Sequence, residues 1–539
     1  MSGRGLPRLL ALPAVVLVVL LPTLVAPLSH DNELYQSMGW LLARFGRLPY
    51  VAAWDQNFPG IIYVHAGIIA LFGGSAYAFR AIDLLVHLAV ALILARLSRR
   101  YQAPNVALYA PLLYALDYVV GGYWLAGQRD GFASLCLALA AMLYLEWGGD
   151  GMTELARSER LVRLRDVVVG CLMGLALIMR PTHALMIVAL VAVVLHPKLT
   201  GERMICSLRI ILAAAGLFCV LLCPILSAPG GPTELYLATV RFNADVYASL
   251  KFRGAWSLLW TRPRELVYDA VLLLWMWLHV VDWGLPTPRR LWQRVRSASP
   301  EVLLFAGFYV MSRLSVILMG KYFIHHYEVN MALTAMLAAS VVQRLLRKRR
   351  WTVWRFVPAL GLIAVLVRVY AVSMVPAFVS SALTGRGLSV AALHRDHPQG
   401  ADDWENKCTA LTTRVARLVR PGEAIEVWGW APGLYWRTGT HPSSRFMMMI
   451  PLIMTGPTNR LADYQRAWQR EYLDSLRSGR PAVFVVAKDT MGLHTFYDER
   501  PERLLRTVPG LAAWLEQEYV LDTVMADWEV YRRRSAGTK

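Results

Sequence analysis

The sequence predicts a mainly helical membrane protein that carries one soluble α/β domain at its C-terminal end. Of the 539 residues, 56% are hydrophobic and only 17% are charged, whereas soluble proteins carry about 25% charged residues. Apolar runs of roughly 18 residues or more recur through residues 1–375, and such runs are long enough to cross a bilayer. Residues 376–539 instead show short strand-like and helix-like patterns, which are typical of a soluble domain.

The apolar runs predict about eleven transmembrane helices, the first of them at residues 9–28. The others are expected at 76–97, 104–120, 125–147, 166–181, 183–196, 209–227, 266–283, 301–319, 324–343 and 353–374. Residues 29–75 form a long exported loop, which we name loop one. Its apolar stretch 61–72 is too short to span comfortably, so we expect a helix lying in the membrane interface.

The net charge of +19 would suit a nucleic-acid-binding protein, but its distribution excludes that class. Residues 376–539, which we name the tail, hold 21 Lys and Arg against 18 Asp and Glu. The excess lies in residues 1–375, mostly at the N-terminus and in five alternate short loops, as the positive-inside rule requires of cytoplasmic loops. We therefore expect a multi-pass protein in contact with membrane lipids, with its N-terminus in the cytoplasm. Loop one and the tail are expected on the extracytoplasmic side.

The sequence of the tail predicts a small α/β domain. Strands are predicted at residues 423–428 and 481–487, a helix at 511–519 and an edge strand at 523–531. Four aromatic residues lie close together in its sequence, and ring faces can stack on sugars. We expect core packing as their main role: Trp428, Trp430, Tyr435 and Trp436.

Loop one carries three acidic residues next to the membrane, namely Asp31, Glu33 and Asp55. Because it is costly to desolvate an ion there, carboxylates at this position indicate a structural or functional role. One interpretation is that Asp31 caps the helix that follows, since Asp is a common N-cap. The other is that Asp31 is a catalytic base that takes a proton from an acceptor alcohol. For Glu33 and Asp55 we expect a structural or substrate-orienting role.

Further polar residues lie at the predicted outer ends of the membrane helices. They are Arg129, Asp130, Arg180, Lys321, Tyr322, His325 and His326. Cationic groups of this kind can hold a phosphate, and an acid among them could hold an acceptor hydroxyl or a metal. Alternatively, charges at the mouth of a helix pair with one another, and Arg180 could anchor the short helices beside it. Adjacent His side chains on a helix point about 100° apart, so a shared metal is disfavoured.

These motifs resemble the GT-C superfamily of integral membrane glycosyltransferases, in particular the bacterial branch related to protein O-mannosyltransferases and the lipid A aminoarabinose transferase. The resemblance covers residues 1–375 and depends on the order of short motifs. The matching stretches are Asp31-x-Glu33-x-Tyr35, Gly46 to Tyr50, Trp54 to Gly60, Leu71 to Gly73, Gln128 to Asp130, and Lys321 with His325 to Tyr327.

The resemblance implies a hexosyl- or pentosyltransferase of a bacterial plasma membrane, with a polyprenyl-phosphate-linked sugar as donor and a glycan, lipid or protein as acceptor. It implies that Asp31 is the catalytic base and that Asp130 assists. Glu33 remains a rival base, because Asn32 separates an acidic pair that is contiguous in the family. No metal ligand is assigned, and a divalent metal is left open as a cofactor.

Two other functions remain as alternatives. A transporter or flippase of lipid-linked sugars would often show repeated halves and interrupted helices at the membrane midplane. The sequence shows neither, and its polar residues gather at one face. A non-catalytic assembly partner would tolerate the loss of Asp31 and Asp130 together.

Overall fold

The structure is a computed structural model, and it describes most of the chain as helix. The described residues are 6–103, 105–147, 158–196, 200–249, 263–283, 287, 289, 293, 296–321, 323–347, 401–488 and 499–534. The predicted membrane helix 353–374 and the site residue Tyr322 lie outside them. The predicted fold class, a helical membrane protein with a small C-terminal sheet region, is confirmed.

By their internal contacts the residues fall into two units. The first unit comprises Met1–Ala26, Phe79–Leu221 and Arg253–Gln399, and the second comprises Pro27–Ala78, Leu222–Phe252 and Gly400–Lys539. Loop one is thus grouped with the tail. The predicted domain boundary after residue 375 lies in a stretch that the structure does not describe, so it stays a prediction.

The first unit consists of helices whose bounds follow the predicted apolar runs. They are α1 (Leu6–Leu20), α4 (Ala76–Tyr101), α5 (Val106–Val120), α6 (Arg129–Glu146), α7 (Glu159–Met179), α8 (Ala184–Leu195), α9 (Gly201–Leu226), α12 (Pro263–Trp283), α13 (Pro300–Met319) and α14 (Glu328–Arg347). A 3-10 turn, Pro181–His183, joins α7 to α8, and another, Ile324–Tyr327, precedes α14.

Four helical stretches of the described chain are long and apolar enough to cross a membrane. They are Ala76–Tyr101, Gly201–Leu226, Pro300–Met319 and Ile324–Leu346, and Ala11–Val25 with His30–Phe45 would add a fifth if they form one broken span. Shorter apolar helices also occur, among them Val106–Val120 and Pro181–Leu195. The count of eleven spans therefore stays a prediction.

Glycine allows two helices of this unit to approach closely. A Cβ atom at Gly170 of α7 would lie 2.5 Å from the backbone oxygen of Ile210 in α9, and one at Gly174 would lie 2.7 Å from that of Ala214. Small residues at helix contacts are common in membranes, where close backbone packing replaces the hydrophobic effect. These glycines allow the backbones of α7 and α9 to lie close together.

The second unit combines loop one, residues 222–252 and the tail. Loop one contributes α2 (His30–Phe45) and α3 (Gly60–Phe72), which pack on each other. The predicted helix at 61–72 is confirmed, while its place in the membrane interface stays a prediction. The other helices are α10 (Gly231–Tyr236), α11 (Phe242–Asp245), α15 (Ala401–Ala416), α16 (Leu434–Thr438), α17 (Ile450–Ile453), α18 (Asp463–Gly479), α19 (Pro501–Leu504) and α20 (Leu511–Glu518).

The tail is built on a five-stranded mixed sheet. Its strands are β1 (Ala424–Trp428), β2 (His441–Pro442), β3 (Val483–Ala487), β4 (Tyr519–Val524) and β5 (Trp528–Arg533), in the order β2-β1-β3-β5-β4. Strand β1 is parallel to β2 and β3, whereas β5 is antiparallel to β3 and β4. All five residues of β3 are buried, as expected for a central strand.

The predicted edge strand at 523–531 is wrong. The chain turns within it, so that β4 and β5 form an antiparallel hairpin, closed by a hydrogen bond from Met525 N to Trp528 O. The edge position belongs to β4, and β5 lies inside the sheet. Alternation of side chains along a strand does not reveal a tight turn that lacks Gly or Pro, which explains the error.

Candidate functional site

The first turn of α2 carries Asp31 and begins at a serine. Ser29 has extended backbone angles, and its hydroxyl accepts a hydrogen bond from Asn32 N at 3.4 Å, so Ser29 is the N-cap. The interpretation of Asp31 as the helix cap is therefore wrong. Asp31 is half-buried, and its charge lies at the helix end that favours an anion.

Glu33 lies in the same turn but is fully buried. Its Oε1 lies 2.8 Å from Nη2 of Arg437, and its Oε2 accepts a hydrogen bond from the indole Nε1 of Trp404 at 3.3 Å. Burial raises the pKa of Glu33, and the positive charge of Arg437 opposes this rise. Both partners come from the tail, so Glu33 joins α2 to the tail.

Asp55, the third acid of loop one, is also fully buried and accepts hydrogen bonds within its own turn. Its Oδ1 accepts hydrogen bonds from Asn57 N at 3.2 Å and from Asn57 Nδ2 at 3.1 Å. The Asn57 amide also donates to the Tyr35 hydroxyl at 3.1 Å. These bonds fix Asp55 in the turn that leads into α3, and its structural or substrate-orienting role stays a prediction.

Two of the predicted site residues, Asp130 and Arg180, form an ion pair in the first unit. Asp130 is fully buried in the first turn of α6, and its Oδ2 lies 2.7 Å from Nη2 of Arg180. His183 Nε2 lies 3.4 Å from the other carboxylate oxygen. The pair ties the α7–α8 junction to α6, which supports the anchoring interpretation of Arg180. Arg129, the neighbour of Asp130, is half-buried.

Lys321 and the two histidines lie between α13 and α14. Lys321 is 3% exposed, and burial lowers the pKa of its ammonium group to about 8. His325 and His326 belong to a 3-10 turn in which their ring centres lie 4.6 Å apart with the ring planes at 89°. The expectation that the two histidines do not share one metal stays a prediction.

The first unit brings several of these stretches together. Helix α6 packs against α7, and it also contacts the 3-10 turn that carries His325 and His326. Helix α13, which ends next to Lys321, contacts the turn Pro181–His183. Asp130, Arg180 and the histidines therefore come from elements that touch one another within this unit.

Sequence reasoning missed a second buried polar group in the first unit, next to Asp130. Asp83 and His87 of α4 are buried, and Asp83 Oδ2 accepts a hydrogen bond from the Tyr118 hydroxyl at 2.5 Å. His87 Nδ1 lies 2.7 Å from the Tyr114 hydroxyl. Glu328 of α14 is buried as well.

One glycine shows how tightly this group is packed. A Cβ atom at Gly131 would meet His87 Nε2 at 2.8 Å and Glu328 Oε1 at 3.3 Å. The available signal was the presence of ionisable residues inside apolar helices, which is rare and usually functional. The candidate residues named from the sequence lie instead in the loops and at the ends of those helices.

Among the described residues, no three His, Cys, Asp or Glu side chains are grouped so as to hold a metal ion. Asp130 has Arg180 and His183 as ion-pair partners. Whether the enzyme uses a divalent metal stays a prediction.

Comparison with known proteins gives one family match. Residues 56–227 match the family model described as dolichyl-phosphate-mannose-protein mannosyltransferase. No curated protein matches the sequence.

Two solved structures have a similar fold. ArnT from Cupriavidus metallidurans bound to undecaprenyl phosphate aligns with a TM-score of 0.58 and 13% identity, covering 99% of this chain and 99% of that chain. The oligosaccharyltransferase of Archaeoglobus fulgidus, tethered with an acceptor peptide, aligns with a TM-score of 0.51 and 12% identity over 95% of this chain and 72% of that chain. The resemblance predicted from the sequence is confirmed: the chain has the fold of the GT-C superfamily of integral membrane glycosyltransferases.

Proposed function

We propose that this protein is a glycosyltransferase that moves a sugar from a polyprenyl-phosphate-linked donor to an acceptor of the cell envelope, on the outer face of the plasma membrane. The observation that carries the proposal is a difference among the three acids of loop one. Glu33 and Asp55 are fully buried, whereas Asp31 is half-buried at a helix N-terminus. Asp31 is therefore the acid of loop one that a substrate can reach.

The comparisons support a lipid phosphate as the carrier of the sugar. The matched family model is that of a mannosyltransferase named for dolichyl-phosphate-mannose, and the similar ArnT structure is bound to undecaprenyl phosphate. Both carriers are polyprenyl phosphates. A donor of this kind leaves a lipid phosphate after transfer, so the enzyme needs cations for the leaving group as well as a base for the acceptor.

In the proposed reaction the Asp31 carboxylate takes the proton of an acceptor hydroxyl. The hydroxyl oxygen then attacks the anomeric carbon of the donor sugar, and the bond from that carbon to the phosphate oxygen breaks. The configuration at the anomeric carbon is inverted, and the polyprenyl phosphate leaves as an anion. A positioned base contributes roughly 10²–10⁴-fold to such a step.

The proposed phosphate-binding groups are Arg129, Lys321 and one of the two histidines. Charge-assisted hydrogen bonds from such cations are about twice as strong as neutral ones, and they strengthen as the negative charge of the phosphate develops. We assign Asp130 a supporting role, because its carboxylate is already bound by Arg180 and His183. Asp130 would hold these two side chains in place.

The test is transfer of labelled sugar by membranes that contain Asp31→Asn protein and the donor lipid. We expect the rate to fall by about 10²–10⁴-fold, since the amide cannot accept the proton. Asp55→Asn makes the same chemical change at a buried acid of the same loop, and it is expected to act through stability instead. Normal transfer by well-expressed Asp31→Asn protein would remove Asp31 from the role of base.

The rival function is transport of the lipid-linked sugar. Purified protein in liposomes distinguishes the two, because a transferase forms glycosylated acceptor from donor while a flippase only moves the donor between leaflets. Flipping of labelled donor without any glycosylated product would favour the transporter.

A further inference from the structure

A buried contact links loop one to the tail through one carboxylate. Glu33 is enclosed by three tail residues: the Arg437 guanidinium at 2.8 Å, the Trp404 indole at 3.3 Å, and Gly433, whose Cβ position would lie 2.8 Å from the Glu33 carboxyl carbon. Glu33 and Arg437 are 404 positions apart in the sequence. The side chain of Arg437 is 12% exposed, so water screens this contact little.

The guanidinium that reaches Glu33 is held in place by an acid of the tail itself. Nη1 and Nη2 of Arg437 donate to the two carboxylate oxygens of Glu405, both at 2.8 Å. Burial alone would lower the pKa of Arg437, but Glu33 and Glu405 outweigh that effect and raise it. A bidentate pair fixes orientation as well as distance. The tail therefore presents a cation of fixed direction to loop one.

The tail contacts one face of α2 around this pair. The ring centres of His30 and Trp404 lie 4.4 Å apart, and the Ser37 hydroxyl donates to the backbone oxygen of Pro432. Since a helix turns by about 100° per residue, positions 30, 33 and 37 share one face of α2. Position 31 lies about 100° from position 30 on the same first turn, so Asp31 points away from the face that the tail holds.

We propose that Arg437, fixed by Glu405, is a positioning residue of the transfer reaction, which acts through Glu33 to set the direction of Asp31. The proposal rests on the proposed function, in which Asp31 is the base. A base must reach its proton within hydrogen-bonding distance, and a displacement of about 1 Å can cost 10²-fold in rate. Rotation of the first turn of α2 would move Asp31 by such an amount.

In this proposal Glu33 is a link and not the base. Glu33 shares the first turn with Asp31 and is the rival base in the sequence. Its carboxylate is fully buried and occupied by Arg437 and Trp404. Glu33 thus connects the tail to the first turn of α2. In this proposal the tail contributes to catalysis by holding that turn.

Two substitutions in the full-length enzyme test the link. Arg437→Lys keeps the positive charge but loses the bidentate geometry. Gly433→Ala removes no charge and no hydrogen-bonding group, and its backbone φ of −64° suits alanine, but the added methyl group displaces the Glu33 carboxylate. Matched controls are Arg414→Lys, where the arginine binds Asp522 within the tail, and Gly67→Ala, where the added atom meets nothing within 4 Å.

The readouts are kcat, the KM for donor lipid, and the thermal unfolding temperature in detergent. We expect Arg437→Lys and Gly433→Ala to lower kcat by roughly 10–100-fold, with the donor KM within about twofold of wild type. The controls are expected to keep wild-type kcat even where they lower the unfolding temperature. The proposal is overturned if Arg437→Lys and Arg414→Lys lower kcat equally, or if the loss lies in KM alone.

The outcome at Asp31 separates this proposal from the proposed function. Inactive Asp31→Asn with wild-type kcat for both Arg437→Lys and Gly433→Ala would leave the base in place and remove only the positioning role. Active Asp31→Asn would remove the base itself, whatever the tail variants show.

Discussion

The Arg180 guanidinium lies 2.7 Å from the carboxylate of Asp130, and both side chains are buried between α6 and the turn that follows α7. The two residues are 50 positions apart in the sequence, and His183 contacts the same carboxylate. This ion pair therefore fixes the geometry of the turn that joins α7 to α8.

We expect Asp130→Asn to lower both stability and transfer. Removal of one partner from a buried ion pair leaves an uncompensated charge, which costs about 3–5 kcal/mol. The double variant Asp130→Asn with Arg180→Gln should be less damaging than the sum of the single changes. Thermal unfolding of the purified proteins measures the coupling, and additive effects would show that the two residues do not depend on each other.

We expect Gly131→Ala to disturb the buried group around His87. The methyl group would lie 2.8 Å from His87 Nε2, while the Tyr114 hydroxyl holds the other ring nitrogen at 2.7 Å. Overpacking of this kind costs about 1–3 kcal/mol. Gly216→Ala in α9 is the matched control, because its added atom meets nothing within 4 Å. Equal unfolding temperatures for the two variants would contradict the packing described around Gly131.

Lys321 predicts a pH dependence of donor binding. Burial lowers the pKa of its ammonium group to about 8, so the group is cationic below that pH and neutral above it. The KM for donor lipid should therefore rise as the pH passes from 7 to 9. Lys321→Arg should move this rise to higher pH, since arginine stays charged. A KM profile that is identical for both proteins would exclude Lys321 as a phosphate contact.

Glu426 predicts a pH dependence of stability in the tail. Burial raises its pKa from 4.5 to about 8, although Ser444 and Ser443 donate hydrogen bonds to it. Between those two values the unfolded chain ionises while the folded protein stays protonated, so the stability falls with rising pH by about 1.4 kcal/mol per unit.

The variant Glu426→Gln should abolish that fall, because an amide does not titrate and resembles the protonated acid. Hydrogen exchange of β1 in the full-length protein at pH 5 to 9 measures the difference. Parallel pH profiles in the two proteins would show that Glu426 is ionised in the folded state.

The sequence by itself determined the helices of the first unit and two of the five tail strands, β1 and β3. The predicted helices 76–97 and 301–319 agree with Ala76–Tyr101 and Pro300–Met319, and the strand 481–487 agrees with Val483–Ala487. Apolar length and periodicity are local properties that neighbouring residues suffice to specify. The burial of Trp428, Trp430 and Tyr435 was expected for the same reason.

Only the tertiary structure decided which side chains meet. It paired Glu33 with Arg437 and Asp130 with Arg180, and it placed Asp83 beside Tyr118. It also showed that Ser29, and not Asp31, is the cap of α2. Such contacts join residues far apart in the chain, and their energy depends on burial and distance, which no spacing along a sequence records.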